Sequence, residues 1–271
     1  MTAIRHPAVA GRFYPKDPAI LREEVCGYLS QPTMGRPIRA LGCVVPHAGY
    51  VYSGHVAGAV FSELEIPELC LVLCPNHTGV GMPLSIMSEG AWETPLGDVP
   101  IDNAFAESLK KHCGLLQEDS SAHRAEHAVE VELPFLQLRQ PQLKIVPITL
   151  GTGQFEALEQ LGNAIADTIS ELNAPVLVIA SSDMNHYESD AITRIKDQSA
   201  IESILRLDAC GLHEVVTQQH VSMCGYGPAV AMLTAAKKLG ARSAELVKYA
   251  TSGDISGDRN FVVGYAGIVV S

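Results

Sequence analysis

Leu69-Cys70-Leu71-Val72-Leu73-Cys74-Pro75-Asn76-His77 is an apolar run without alternation, halted by Pro-Asn and followed at once by a histidine. A strand with one wet face alternates apolar and polar residues, so an unbroken run of this length fits a strand covered on both faces. Comparable runs stand at Leu41 to Pro46, Leu143 to Leu150, Pro175 to Ala180, Glu245 to Ala250 and Phe261 to Val270. Between most of them, Gly54 to Leu64, Asn103 to His112, Gln154 to Leu172, Ala191 to Leu207 and Pro228 to Leu239 space their apolar residues three to four apart, which predicts helices. Strands alternating with helices need crossover connections. The expected fold class is therefore α/β, with a mostly parallel or mixed central sheet and helices on both faces.

The stretch from Pro83 to Asp102 departs from this rhythm, because Pro95-Leu96-Gly97-Asp98 offers turn chemistry between two extended segments. It predicts a hairpin-like excursion beside the sheet. No internal repeat or Gly/Ser-rich linker divides the 271 residues, so residues 1–271 read as a single domain.

With 30 acidic against 19 basic residues the chain carries a formal charge of −11, the wrong sign for binding phosphate backbones. No window approaches the apolar length of a membrane span, and no apolar run behind a basic stretch resembles an export signal. Seven cysteines lack the paired spacing of a disulfide framework. These features predict a cytoplasmic chain in a reducing compartment, with neither nucleic acid nor membrane as partner. Cys70 and Cys74 read as small buried hydrophobes of a strand rather than as ligands.

Ligands in open α/β sheets bind beyond the carboxyl ends of the strands. His47 follows Gly42-Cys43-Val44-Val45-Pro46, His77 follows Cys74-Pro75-Asn76, and His186 follows Ile179-Ala180-Ser181-Ser182-Asp183 at a short distance. Neutral imidazole is the commonest metal ligand, and a rigid sheet can hold ligands from separate strands in fixed geometry. Asp183 reads either as a group orienting a neighbouring imidazole or as a helix N-cap. Cys224 stands outside the apolar strands, in Ser222-Met223-Cys224-Gly225-Tyr226-Gly227-Pro228, just ahead of a helical pattern. The helix dipole there predicts a thiol more acidic than a free one, suited to ligate a metal together with the histidines.

His123-Arg124-Ala125-Glu126-His127 matches the letters H-x-x-E-H of inverted zinc metalloproteases. A third ligand is not evident and Pro134 follows closely, so a solvated helix start is preferred for His123. No Gly-rich phosphate cradle follows a strand, and Ser181-Ser182 lacks a G-x-S-x-G elbow.

Several segments together resemble the Memo family, the B component of the AmmeMemoRadiSam system. They are Arg5-His6-Pro7-Ala8-Val9-Ala10-Gly11-Arg12-Phe13-Tyr14-Pro15, Pro46-His47-Ala48-Gly49-Tyr50-Val51-Tyr52-Ser53-Gly54, Pro75-Asn76-His77, Thr94-Pro95-Leu96-Gly97, Glu126-His127-Ala128-Val129-Glu130, Ser181-Ser182-Asp183-Met184-Asn185-His186 and Ser252-Gly253-Asp254-Ile255-Ser256-Gly257-Asp258. The resemblance implies a fold similar to class III extradiol ring-cleavage dioxygenases. It implies that His47, His77 and Cys224 are metal ligands, with cysteine where those dioxygenases carry a carboxylate. It further implies that His186 is the catalytic acid or base and that His127 and Asp183 line the pocket.

The implied cofactor is non-heme iron, with copper or zinc as alternatives that a thiolate would favour. The implied function is dioxygenase-like redox chemistry on a small phenolic substrate. A non-catalytic metal-binding or interaction module, holding a peptide in the same pocket, is the alternative, with zinc hydrolysis third. A radical-SAM protein is the implied partner system.

Overall fold

The computed structural model describes residues 3–30, 35, 37–172 and 174–271. At its centre four strands run parallel in the order Gly42–Val45, Val176–Ser181, Leu69–Pro75 and Lys144–Leu150. Each is buried along nearly its whole length. Their side chains divide with a period of two between the two faces: Val44, Leu71, Leu73, Val146, Ile148, Val178 and Ala180 enter one core, whereas Cys43, Val45, Cys70, Val72, Cys74, Leu177 and Ile179 enter the other. Double burial explains the missing alternation.

Antiparallel strands extend this parallel centre, making the nine-stranded sheet mixed. Val262–Val270 lies against Gly42–Val45 and is itself flanked by Ala244–Thr251 and His186–Glu188. On the other side Leu84–Ile86 runs antiparallel to Lys144–Leu150. Helices Phe155–Ser170 and Tyr226–Lys238 line one face. Helices Pro18–Leu29, Tyr50–Glu63 and Ala128–Arg139 line the other.

The Pro83 to Asp102 segment divides. Ala91–Thr94 and Gly97–Pro100 form an antiparallel hairpin that joins Ile4–Arg5 in a separate three-stranded sheet. Leu84–Ile86, by contrast, belongs to the main sheet, because its three residues are buried and complete the edge beside Lys144–Leu150. Gly97 adopts φ 119° just after the Pro95-Leu96 corner, a conformation that favours glycine.

Pro134 does not end its helix. Residues Ala128 to Leu136 are all buried, and that packing outweighs a local cost of roughly 3 kcal/mol for proline in a helix interior. Among the described residues, no helix is long and apolar enough to cross a membrane.

Candidate functional site

His47 and His77 each follow a parallel strand by two residues, and Cys224 precedes the helix Tyr226–Lys238 by two. Three separate elements thus deliver their side chains to one edge of the sheet. One ligand atom from each of His47, His77 and Cys224 lies within 4.8 Å of the other two. Cys224 Sγ is 3.3 Å from His47 Nε2, and the two imidazole centroids are 5.1 Å apart at 80°. Gly225 permits this approach, since a Cβ at that residue would stand 2.2 Å from the Ser181 carbonyl oxygen.

Each imidazole is held by its far nitrogen. His77 Nδ1 donates to Glu126 Oε1 at 2.9 Å, leaving Nε2 with a free lone pair. His47 Nδ1 lies 2.8 Å from Ser181 Oγ. Glu126 is fully engaged: Oε1 also accepts from the backbone of His127 and Ala128, and Oε2 accepts from the His77 N–H. His77, Glu126 and His127 form a second close group of ligand types, yet a carboxylate so committed acts as an orienting group rather than as a ligand.

Electrostatics act in opposite directions on the two imidazoles. Burial lowers the His47 pKa well below its usual value, and the neighbouring His77, His127 and His186 lower it further. Burial also works to lower that of His77, but the Glu126 carboxylate wins and raises it.

The expected acidic Cys224 is corrected. Burial raises its pKa strongly, Asp183 adds to this, and the N–H groups of Asp183 and Gly225 oppose it without prevailing. Dehydration of a thiolate in this half-buried position exceeds the help of the helix terminus, so the free side chain is a thiol.

Asp183 departs from both sequence readings. It caps no helix, because the strand His186–Glu188 follows it. It also bonds no imidazole: its Oδ1 accepts the backbone N–H of His47 at 2.9 Å and so fixes the loop that carries this residue. Burial pushes its carboxyl up to about 6, opposed by His186 and by the His47 and Ala48 N–H groups.

His186 stands outside the close group of His47, His77 and Cys224, contrary to the expectation of one four-residue cluster. Its Nδ1 is 2.9 Å from the Ser222 carbonyl oxygen and must therefore donate, which leaves Nε2 unprotonated in the neutral ring. His127 begins the helix Ala128–Arg139 and stacks on His77 with centroids 4.6 Å apart. Phe13 meets His127 edge-on at 4.9 Å and, with Gly49, Tyr50 and Tyr52, lines a depression of about 490 Å³. A larger apolar cavity of about 640 Å³, lined by Ile66, Leu69, Phe105 and Pro175, lies at the opposite end of the parallel strands.

His123 is not the solvated residue expected. It ends a short 3₁₀ turn, is fully buried, and pairs through Nδ1 with Thr149 at 3.0 Å. His123 and His127 therefore do not share one helix, and H-x-x-E-H has no protease geometry here. His123→Ala is expected to lower stability by roughly 2–4 kcal/mol, by cavity formation and loss of a buried hydrogen bond, while metal stoichiometry stays unchanged. Denaturant titration alongside metal analysis checks both; loss of metal in a still-folded variant would contradict the placement.

The supporting roles of Ser181 and Glu126 do not follow from the sequence pattern. Glu126 sat in plain view within the Glu126-His127 motif, whereas Ser181 had no signal beyond its nearness to Asp183.

The model of a family described as Memo-like protein matches residues 5–269 of this chain. The chain is 45% identical over 287 residues to a MEMO1 family protein of Methanocaldococcus jannaschii, covering 100% of each. It is 46% identical to one of Methanosarcina barkeri, covering 98% of this chain and 100% of the relative, and 43% identical to one of Methanothermobacter thermautotrophicus, covering 97% and 99%. Among solved structures, an uncharacterized protein from Escherichia coli K12 superposes with a TM-score of 0.56 at 11% identity, covering 85% of this chain and 100% of that one. That likeness concerns the fold alone.

Proposed function

Because the chain belongs to the Memo family, we propose that His47, His77 and Cys224 hold one redox-active metal ion, iron in the first instance, and that the pocket oxidises a small phenolic substrate. The observation that carries this reading is the convergence of two imidazoles and a thiol from three elements. The His77 Nε2 lone pair is already exposed by the far-side bond to Glu126, and the His47 ring is held by Ser181. This donor set fits a transition metal, with the thiol moving preference toward copper or zinc relative to a carboxylate. A bound ion of this kind supplies Lewis acidity and one-electron chemistry at an open coordination position.

The chain's own residues do the rest. His186 accepts the phenolic proton at Nε2, because its Nδ1 proton is committed to Ser222. Asp183 holds the backbone at His47 in place, so that removal of its charge loosens a ligand without touching the substrate. Phe13 and Tyr52, on the depression beside His127, provide aromatic walls for a flat ring.

Anaerobic purification followed by metal analysis and oxygen uptake over a panel of catechols tests the proposal. Expected are about one iron per chain and uptake that falls by roughly 10²-fold or more in His186→Ala with metal content retained, as for loss of a general base. A wild type that binds no metal overturns the reading. One that holds metal but consumes no oxygen with any phenol supports instead a non-catalytic metal-binding module, which the thiol in place of a carboxylate also favours.

A further inference from the structure

Asn185 is wholly buried one residue before His186, and both ends of its side-chain amide are committed. Nδ2 donates to Glu188 Oε2 at 2.7 Å and reaches Thr193 Oγ1 at 3.4 Å. Oδ1 accepts the Ser222 backbone N–H at 3.0 Å and the Ser222 hydroxyl at 3.0 Å. Glu188, paired with Lys196 at 2.6 Å, is a carboxylate that can only accept, and a backbone N–H can only donate. These partners leave one orientation for the amide. The Asn185 backbone is pinned as well: its N–H donates to Asp197 Oδ1 at 2.8 Å, and its carbonyl accepts from the Gly264 N–H at 2.9 Å.

Ser222 passes this hold on to His186. Its Oγ accepts the His186 backbone N–H at 2.7 Å and its carbonyl accepts Nδ1–H at 2.9 Å, so one residue grips both the main chain and the ring. A hydroxyl has a single hydrogen to give, and Asn185 Oδ1 at 3.0 Å is nearer than the His186 carbonyl at 3.4 Å. Ser222 is itself exposed, in the segment between the helices Ala209–Gln218 and Tyr226–Lys238, and takes its bearing from the buried amide.

The chain needs holding here. The pairing of His186–Glu188 with Val262–Val270 shifts register between His186 and Glu188, a bulge of the kind that re-aims a side chain. Tyr187, inside the bulge, has φ 59°, a left-handed conformation that a residue other than glycine keeps only where its surroundings impose it. Its side chain is 72% exposed, so packing around the ring contributes little. Asn185 spans the kink, bonded to Glu188 beyond it and, through Ser222, to His186 before it.

We propose that Asn185 is a positioning residue for His186: through Ser222 it fixes the backbone and Nδ1 of the histidine, so that the ring is held with Nε2 as its free nitrogen. The inference rests on the reading of His186 as the proton acceptor and deepens it, because misplacing a reacting group by about 1 Å can cost 10²-fold in rate.

The test is ¹H–¹⁵N NMR of the full chain with Zn(II) added as a diamagnetic ion. Wild type should show a His186 Nδ1–H signal and a slowly exchanging His186 amide. Asn185→Leu should lose the first and speed exchange of the second about 10-fold, the equivalent of one hydrogen bond. Asn185→Asp combined with Glu188→Gln, whose amide donates back to the new carboxylate, should restore both. A folded leucine variant with both signals as in wild type overturns the proposal and leaves Asn185 a purely structural residue. Loss of Zn(II) with both signals unchanged overturns it too, because Asn185 would then serve the loop leading to Cys224.

Ser222→Ala, at an exposed position, keeps the proposal falsifiable where the leucine variant does not fold. It should speed exchange of the His186 amide about 10-fold. An unchanged amide leaves Asn185 no route to His186 and overturns the proposal. With a catechol that wild type oxidises, Asn185→Leu should lower kcat about 10²-fold at unchanged KM and metal content. A wild type that oxidises no phenol sinks the reading of His186 as a base and leaves the hydrogen-bond signals to decide this inference.

Discussion

Cys224→Ala is expected to lower metal affinity by about two to three orders of magnitude while leaving the fold in place. Structural zinc sites bind with roughly 10–16 kcal/mol shared among four ligands, so one ligand corresponds to about 2.5–4 kcal/mol. Cys224 ends on Sγ within 3.3 Å of His47 Nε2, and among the described residues no other thiol joins that group of ligand atoms. Alanine removes the ligand without adding bulk beside Gly225, where space is tightest. Because burial keeps the free side chain a thiol, binding should release one proton per ion near neutral pH in wild type and none in the variant. A chelator competition and a weakly buffered titration measure the two quantities; an alanine variant with wild-type affinity would remove Cys224 from the ligand set. Cys224→Glu goes the other way: two histidines and a carboxylate should retain iron and raise oxygen uptake with catechols.

The second large effect lies on the N-terminal segment. Arg5, in the strand paired with the hairpin, is buried with its guanidinium over the Trp92 ring at 4.3 Å. Its nitrogens donate to the His123 carbonyl at 3.0 Å, to the Glu126 carbonyl, and to the Glu130 carboxylate. Glu130 in turn accepts from Ala8 N, Val9 N and Tyr14 Oη. Arg5→Met leaves a buried carboxylate without its countercharge, and breaking such a pair costs about 3–5 kcal/mol. The same change frees the Glu126 backbone, whose side chain orients His77, so metal affinity should fall by about 10-fold in addition. Equilibrium unfolding should recover part of the loss when Arg5→Met is combined with Glu130→Gln, as coupled neighbours are non-additive. A single variant destabilised by less than about 1 kcal/mol would show that the charge is not sealed from water.

Much of the fold was legible because burial on both faces writes itself into composition. The run Leu69 to Pro75 forms a strand with those bounds, and the other runs agree within one or two residues. Helix ends were less legible: Tyr50–Glu63 begins four residues before the predicted Gly54, with its N-terminus beside the His47 loop. Pro18–Leu29 lacks a clear apolar period, although Asp17 caps it and Pro18 occupies its first turn. Ala209–Gln218 is equally hard to read, since only Leu212 and Val216 of that helix are buried.

For the site, sequence alone determined which residue types follow the strands, and strand direction then places His47 and His77 at one sheet edge. Only the tertiary structure decided how those residues are tuned, because tuning depends on distances between segments far apart in the chain. The helix terminus near Cys224 is visible in the sequence and argues for an acidic thiol; the partial burial beside the Asp183 carboxyl is not, and it reverses the direction. The partners Ser181 and Glu126 reach His47 and His77 across 134 and 49 residues. Glu132 reads in sequence as an ordinary charge on a helix, and only packing against the sheet makes it a buried acid. Local propensity and apolar period are properties of neighbouring residues, whereas solvation and hydrogen-bond valence are properties of the volume into which the folded chain brings them.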